Sequence, residues 1–197
     1  MKKAFKINIA QSILDDLQNR IANTRWTNET ENAEWEYGTN RTYLKTLCDY
    51  WQHRFDWRKQ EADLNRLPQF TTEIEDVNVH FIHVKGRGPN PTPLLLLHGW
   101  PDSFYRFHKI IPMLTDPASF GNNSAVSFDV IIPSLPGIGF TEGGNAPQEQ
   151  PMRHTAKLFW KLMTEVLGYE RFMSAGGDGG SPKKSPLITA LPFVLMT

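Results

Sequence analysis

The chain has one cysteine, no net charge and no long apolar run. With Cys48 alone, a disulfide framework and a cysteine-rich metal site are both excluded, and the composition suits a reducing compartment. No stretch approaches the roughly 20 apolar residues of a membrane-spanning helix. Residues 1–20 are charged and polar with no apolar centre of leader length. Lys plus Arg (21) equals Asp plus Glu (21), so no field of one sign draws nucleic acid or an acidic partner. Three matches to the glycosylation acceptor pattern, beginning at Asn28, Asn40 and Asn122, carry no weight without a secretory signal. What is present is ordinary for a globular protein: 197 residues, 40% hydrophobic and 21% charged, enough for a core. These features predict a cytoplasmic protein without cofactor or metal.

The first 70 residues carry helical periodicity. Ile13, Leu14, Leu17 and Ile21 predict a helix to Ala22, with Ser12 as N-cap and Asp15 and Asp16 in its first turn. A second helix is expected over 43–54, with Leu44, Leu47, Trp51 and Phe55 on one face, and a third over 61–67, ended by Pro68. The period changes from Phe70. Ile74 and the run Val77 to Val84 largely alternate, which predicts two antiparallel strands joined at Glu75-Asp76.

Leu94 to Leu97 is a continuous apolar run between Pro93 and Gly99, the pattern of a strand buried on both faces. A helix over 103–114, a strand over 128–133, a turn-rich loop over 135–140, a long helix over 152–167 and a short strand over 171–175 complete the order. Strand–helix alternation of this kind predicts a parallel sheet with right-handed crossovers.

Two motifs carry chemistry. Gly176-Gly177-Asp178-Gly179-Gly180 follows the last strand and has small residues two before and two after Asp178. That spacing is what a nucleophile at the apex of a strand-to-helix turn needs, because backbone and helix crowd there. With Asp at the apex the attacking group is a carboxylate, which forms an ester with an electrophilic sp³ carbon such as that of an epoxide or alkyl halide. The Gly-rich run is otherwise a simple loop. It lacks the Gly-Lys-Ser/Thr of a phosphate loop and the alternating acids of a calcium loop. The second motif, His98-Gly99-Trp100-Pro101, follows the Leu94–Leu97 strand, where an α/β-hydrolase places its first oxyanion loop. The backbone N–H groups of Trp100 and Gly179 are the expected donors. His98 precedes the nucleophile, whereas the base of this fold follows it, so a structural role is expected for His98.

Residues from about Phe5 to Ser181 resemble the epoxide hydrolase family, in the branch with an N-terminal extension that includes the microsomal and juvenile-hormone types. The matching pieces include Arg25-Trp26, Tyr50-Trp51, Phe55-Asp56-Trp57-Arg58, Leu67-Pro68-Gln69-Phe70, His80-Phe81-Ile82-His83, the stretch Pro93 to Pro101, Ile132 to Gly137 and Gly176-Gly177-Asp178. The resemblance implies an α/β-hydrolase fold and an epoxide as small-molecule substrate. It further implies Asp178 as nucleophile and Trp100 in the oxyanion hole. It gives residues 1–72 as a helical N-terminal extension, 73–181 as the first half of the hydrolase domain and 182–197 as an atypical tail.

Three departures stand out. The family has Trp after its nucleophile, here Gly179, which keeps the N–H but loses an aromatic wall. Pro182 and Pro186 oppose the helix that should follow. The chain stops at Thr197, and all six histidines precede Asp178, so the family's base, acid and cap tyrosines are missing. The fold is therefore expected to be incomplete, the residues after Ser181 to be an out-of-frame or misspliced tail, and activity alone to be slight. Two alternatives are a haloalkane dehalogenase-like hydrolase, disfavoured by the N-terminal extension, and a non-catalytic piece that completes a partner.

Overall fold

The computed structural model describes residues 1–28, 30, 34–122, 126–143 and 151–180. The tail expected from Pro182 lies outside the described residues. The chain forms two compact units, one of residues 7–66 and one of residues 1–6 with 67 onward.

The 7–66 unit holds three helices, α1 (Gln11–Ala22), α2 (Arg41–His53) and α3 (Trp57–Leu64). Ser12 does not cap α1. Ala10 sits at the N-cap without a side-chain bond, so Ser12, Asp15 and Asp16 fall two positions deeper than expected. Helix α2 begins earlier than its apolar pattern because the Asn40 side chain accepts the Tyr43 N–H at 2.8 Å. The third helix is displaced toward the N-terminus from the expected 61–67. The Asp56 carboxylate accepts the Lys59 N–H at 3.1 Å and starts it at Trp57. Glu61, 8% exposed, accepts from Ile9 N–H and the Arg58 guanidinium, both at 2.7 Å, and Asn65 exchanges two hydrogen bonds with the Ile7 backbone. The side chains of Glu61 in α3 and of Asn65 at its C-terminal end thus hold the chain that leads into α1.

The other unit is built on one six-stranded sheet, with strands β1 (Lys3–Phe5), β2 (Gln69–Ile74), β3 (Val77–Val84), β4 (Thr92–Leu97), β5 (Phe128–Pro133) and β6 (Met173–Gly176) in the order β1-β2-β3-β5-β4-β6. The expected parallel pairing is found between β5 and β4 and between β4 and β6, whereas the three pairs from β1 to β5 are antiparallel. The β2–β3 hairpin turns at Glu75 and Asp76, both left-handed (φ 49° and 63°), the two-residue geometry that matches the strand twist. Strand β1 had no sequence signature: three residues are too few to show a period.

The expected helix over 103–114 is broken. Ser103 caps a 3₁₀ turn at Phe104–Phe107, and only Ile111–Thr115 (α4) is α-helical, with Pro112 in its first turn, where it cannot donate to a preceding carbonyl. The long helix runs as α5 (Pro151–Lys161) into a π turn at Leu162–Val166. Its Leu158, Phe159, Leu162 and Met163 pack on Val79, Phe81, Leu95 and Ile131 of the sheet, a core in which all eight are at most 1% exposed. Burial on this scale, about 25 cal/mol per Å² of apolar surface, fixes the sheet that carries the site.

Candidate active site

Strands β4 and β6 lie side by side in parallel with Leu97 opposite Gly176, so both chains leave the sheet at the same edge. His98-Gly99-Trp100-Pro101 follows one strand and Gly177-Asp178 the other. A Cβ on Gly180 would lie 2.5 Å from the Leu97 carbonyl oxygen, and one on Gly176 would collide with the Gly180 and Leu97 carbonyls. The two loops approach this closely only because both positions are glycine.

Asp178 has φ 55°, a left-handed conformation uncommon for a residue with a side chain, and begins a 3₁₀ turn to Gly180. Its side chain is exposed. Its Oδ1 accepts the Trp100 N–H at 3.0 Å and the Gly179 N–H at 2.6 Å. Those two bonds, the first above all, hold the carboxyl below its usual range, with a smaller contribution from the Arg106 charge. Among the described residues Oδ2 has no hydrogen-bond partner. The three residues singled out in the sequence, Asp178, Trp100 and Gly179, thus converge on one oxygen. The Trp100 side chain is 73% exposed.

His98 is fully buried and bonded at both ring nitrogens, Nδ1 to the Gly99 carbonyl at 3.0 Å and Nε2 to the Leu135 N–H at 3.1 Å. Burial lowers its pKa and keeps it neutral. Its role is structural, as expected. Sequence reasoning missed Leu135 as its partner and Gly99 as the point of closest approach: a Cβ there would lie 2.5 Å from Asp178 Oδ1. It also missed Arg106, which pairs with Asp102 at 3.0 Å. Among the described residues, no histidine hydrogen-bonds to Asp178, no group of three His, Cys, Asp or Glu is placed to hold a metal ion, and no helix is long and apolar enough to cross a membrane. A hollow of about 840 Å³ lies within the 7–66 unit between Leu14, Leu17, Leu47, Trp51 and Trp57, and contains none of the residues around Asp178.

Residues 2–107 match the family model described as epoxide hydrolase N terminus, and residues 92–182 match the alpha/beta hydrolase fold. The chain belongs to the epoxide hydrolase family. It is 44% identical over 183 residues to epoxide hydrolase 1 of Oryctolagus cuniculus, which covers 91% of this chain and 40% of that protein. It is 36% identical over 193 residues to juvenile hormone epoxide hydrolase 1 of Ctenocephalides felis, covering 96% of this chain and 40% of that one. Among solved structures, juvenile hormone epoxide hydrolase from the silkworm Bombyx mori superposes with a TM-score of 0.82 at 32% identity, over 91% of this chain and 47% of that chain. The epoxide hydrolase of Aspergillus niger gives 0.78 at 30% identity with the same coverage. The fold is therefore that of the α/β hydrolases, and the chain spans less than half the length of these family members.

Proposed function

We propose that the site opens epoxides through a covalent ester on Asp178. Oδ2 attacks a ring carbon, the ring C–O bond breaks, and the ring oxygen leaves as an alkoxide that takes a proton from solvent. Water then attacks Cγ of the ester, and the charge that develops falls on Oδ1. The intermediate collapses by breaking the Cγ–Oδ2 bond: the diol leaves with Oδ2 and takes up the proton that water gave up, and the carboxylate is restored with the water oxygen in place of Oδ2.

The observation that carries this reading is the division of labour between the two carboxylate oxygens. Oδ1 is held by the Trp100 and Gly179 N–H groups, while Oδ2 is left without a partner among the described residues. The two donors sit where negative charge concentrates when water adds to the ester. Each such donor is worth about 10²- to 10³-fold in rate.

Hydrolysis of the ester also needs a base, and no described histidine hydrogen-bonds to Asp178. His98 and His80 use both ring nitrogens on neighbours, and His83 bonds to Tyr169. On this reading the 197-residue polypeptide forms the ester and hydrolyses it slowly, because loss of the base removes orders of magnitude from the step it serves. Incubation with styrene oxide followed by peptide mass spectrometry tests the proposal. One epoxide mass is expected on the peptide that carries Asp178, and none in Asp178→Ala. An adduct that forms equally in the variant overturns the nucleophile assignment. Sustained turnover that needs Asp178 overturns the slow hydrolysis.

A further inference from the structure

The Trp100 N–H reaches Asp178 from an exposed residue that follows the buried Gly99, and it is aimed at a single oxygen. The reason lies in the peptide unit itself. The Gly99 carbonyl and the Trp100 N–H belong to one planar group and point in opposite directions across it. Whatever fixes the carbonyl aims the N–H.

The carbonyl is fixed from the buried side. Gly99 O accepts from His98 Nδ1 at 3.0 Å and from the Asp102 N–H at 3.3 Å. Because a carbonyl only accepts, Nδ1 carries the ring proton, which leaves Nε2 bare to accept the Leu135 N–H at 3.1 Å. The far end of the ring is anchored in turn. Ser134, fully buried, donates its N–H to the His80 carbonyl at 2.9 Å, bonds His80 Nδ1 through Oγ at 2.9 Å and receives the Thr141 hydroxyl on its carbonyl at 2.8 Å. His80 Nε2 meets Gln69 Oε1 at 3.0 Å, which puts the proton of that ring on Nε2. A buried line of bonds therefore runs from β2 through β3 and the end of β5 to the imidazole of His98, and ends on the Gly99–Trp100 peptide.

We propose that His98 is a positioning residue for the Trp100 donor: its Nδ1–H holds the Gly99 carbonyl, and through the peptide plane it directs the Trp100 N–H at Asp178 Oδ1. The catalytic meaning of this rests on the reading of Asp178 as nucleophile; the positioning itself does not. The separate roles of the two ring nitrogens make it testable. Asparagine at 98 presents its amide N–H near the place of Nδ1, and glutamine presents an amide oxygen near the place of Nε2. His98→Asn thus keeps the donor to Gly99, and His98→Gln keeps only the acceptor for Leu135.

The experiment is NMR on the full 197-residue chain, following the Trp100 amide proton and the Asp178 side-chain carboxyl through pH, with Asp178→Asn to assign both. In the unsubstituted chain and in His98→Asn the Trp100 amide shift is expected to follow the Asp178 ionisation. In His98→Gln that coupling is lost and the Asp178 midpoint moves up by about one pH unit, a tenfold change in its ionisation constant. A His98→Gln chain in which the Trp100 amide still titrates with Asp178 overturns the proposal. Should a variant fail to fold, the ¹⁵N shifts of His98 in the unsubstituted chain decide: protonation at Nδ1 supports the proposal, and protonation at Nε2 overturns it. Absence of an ester on Asp178 with styrene oxide, alongside an intact amide coupling, sinks the functional reading and leaves the positioning standing.

Discussion

Gly99 and Asp178, 79 positions apart in the chain, approach so closely that a methyl group on Gly99 would lie 2.5 Å from both Cβ and Oδ1 of the aspartate. The contact follows from the parallel β4–β6 register and leaves no room for a side chain at position 99 in the loop after β4. Gly99→Ala is expected to push Asp178 off its two donors. Hydrolysis of the ester formed with styrene oxide should slow by about 10²-fold, at a stability cost of about 1–3 kcal/mol from overpacking. Decay of the alkylated peptide timed by mass spectrometry, with a parallel melting curve, checks this. An unchanged decay rate would show that the donors do not act in ester hydrolysis.

At the opposite end of β5, the buried Asp129 accepts from Lys85 Nζ at 2.6 Å, Tyr169 OH at 2.7 Å and the Gly86 N–H at 2.8 Å. Burial raises its pKa, but the three bonds and the Lys85 charge together outweigh this and hold the carboxyl below its usual range. A depressed carboxyl pKa adds stability at and above the ordinary carboxylate range, and the addition is lost as pH falls through the folded value. Tyr169→Phe removes the bond to Asp129 together with those to Lys85 and His83 and should cost about 1–3 kcal/mol at pH 7. Asp129→Asn should unfold more easily at pH 7 and show a flatter dependence on acid than the parent. Equal acid profiles in denaturant titrations would rule the network out as a source of stability.

Glu75, at the β2–β3 turn, meets Lys157 at 2.6 Å and Lys161 at 2.7 Å on α5. Bonds from these two ammonium groups lower its pKa to about 2. The contribution is complete above the ordinary carboxylate range and disappears as pH falls toward 2. The side chain is 25% exposed, so solvent screening keeps the effect small, about 1 kcal/mol or less. Glu75→Gln should lower the urea midpoint modestly at pH 7, and the difference should shrink in 1 M salt. A salt-independent difference would point to packing instead.

Asp56→Ala removes the side-chain cap of α3 and should cost about 1 kcal/mol, seen as faster amide exchange over residues 57–64. Protection equal to the parent would mean that the Glu61 and Asn65 bonds to the incoming chain hold the helix without its cap.

The hairpin at Glu75-Asp76 and the buried strand at Leu94–Leu97 were legible in the sequence because a change of period and a bounded apolar run are local signals. The third helix and the broken 103–114 segment were misplaced because a single capping residue, Asp56 or Ser103, and one proline, Pro112, outweighed the apolar spacing. Strand β1 was invisible, since its three residues acquire strand geometry only by pairing with β2.

For the site the division is similar. The sequence by itself offered Asp178 as nucleophile candidate and the Trp100 and Gly179 N–H groups as candidate donors, through residue types at fixed short spacing, and the family through resemblance along the chain. The tertiary structure alone decided that Trp100, Gly179 and Asp178 meet at one oxygen, that Gly99 must be glycine, and that His98 is tied to Leu135 and through Ser134 to His80. Those contacts join segments dozens of residues apart. They depend on strand register and on which buried polar groups find each other, and no local pattern encodes either.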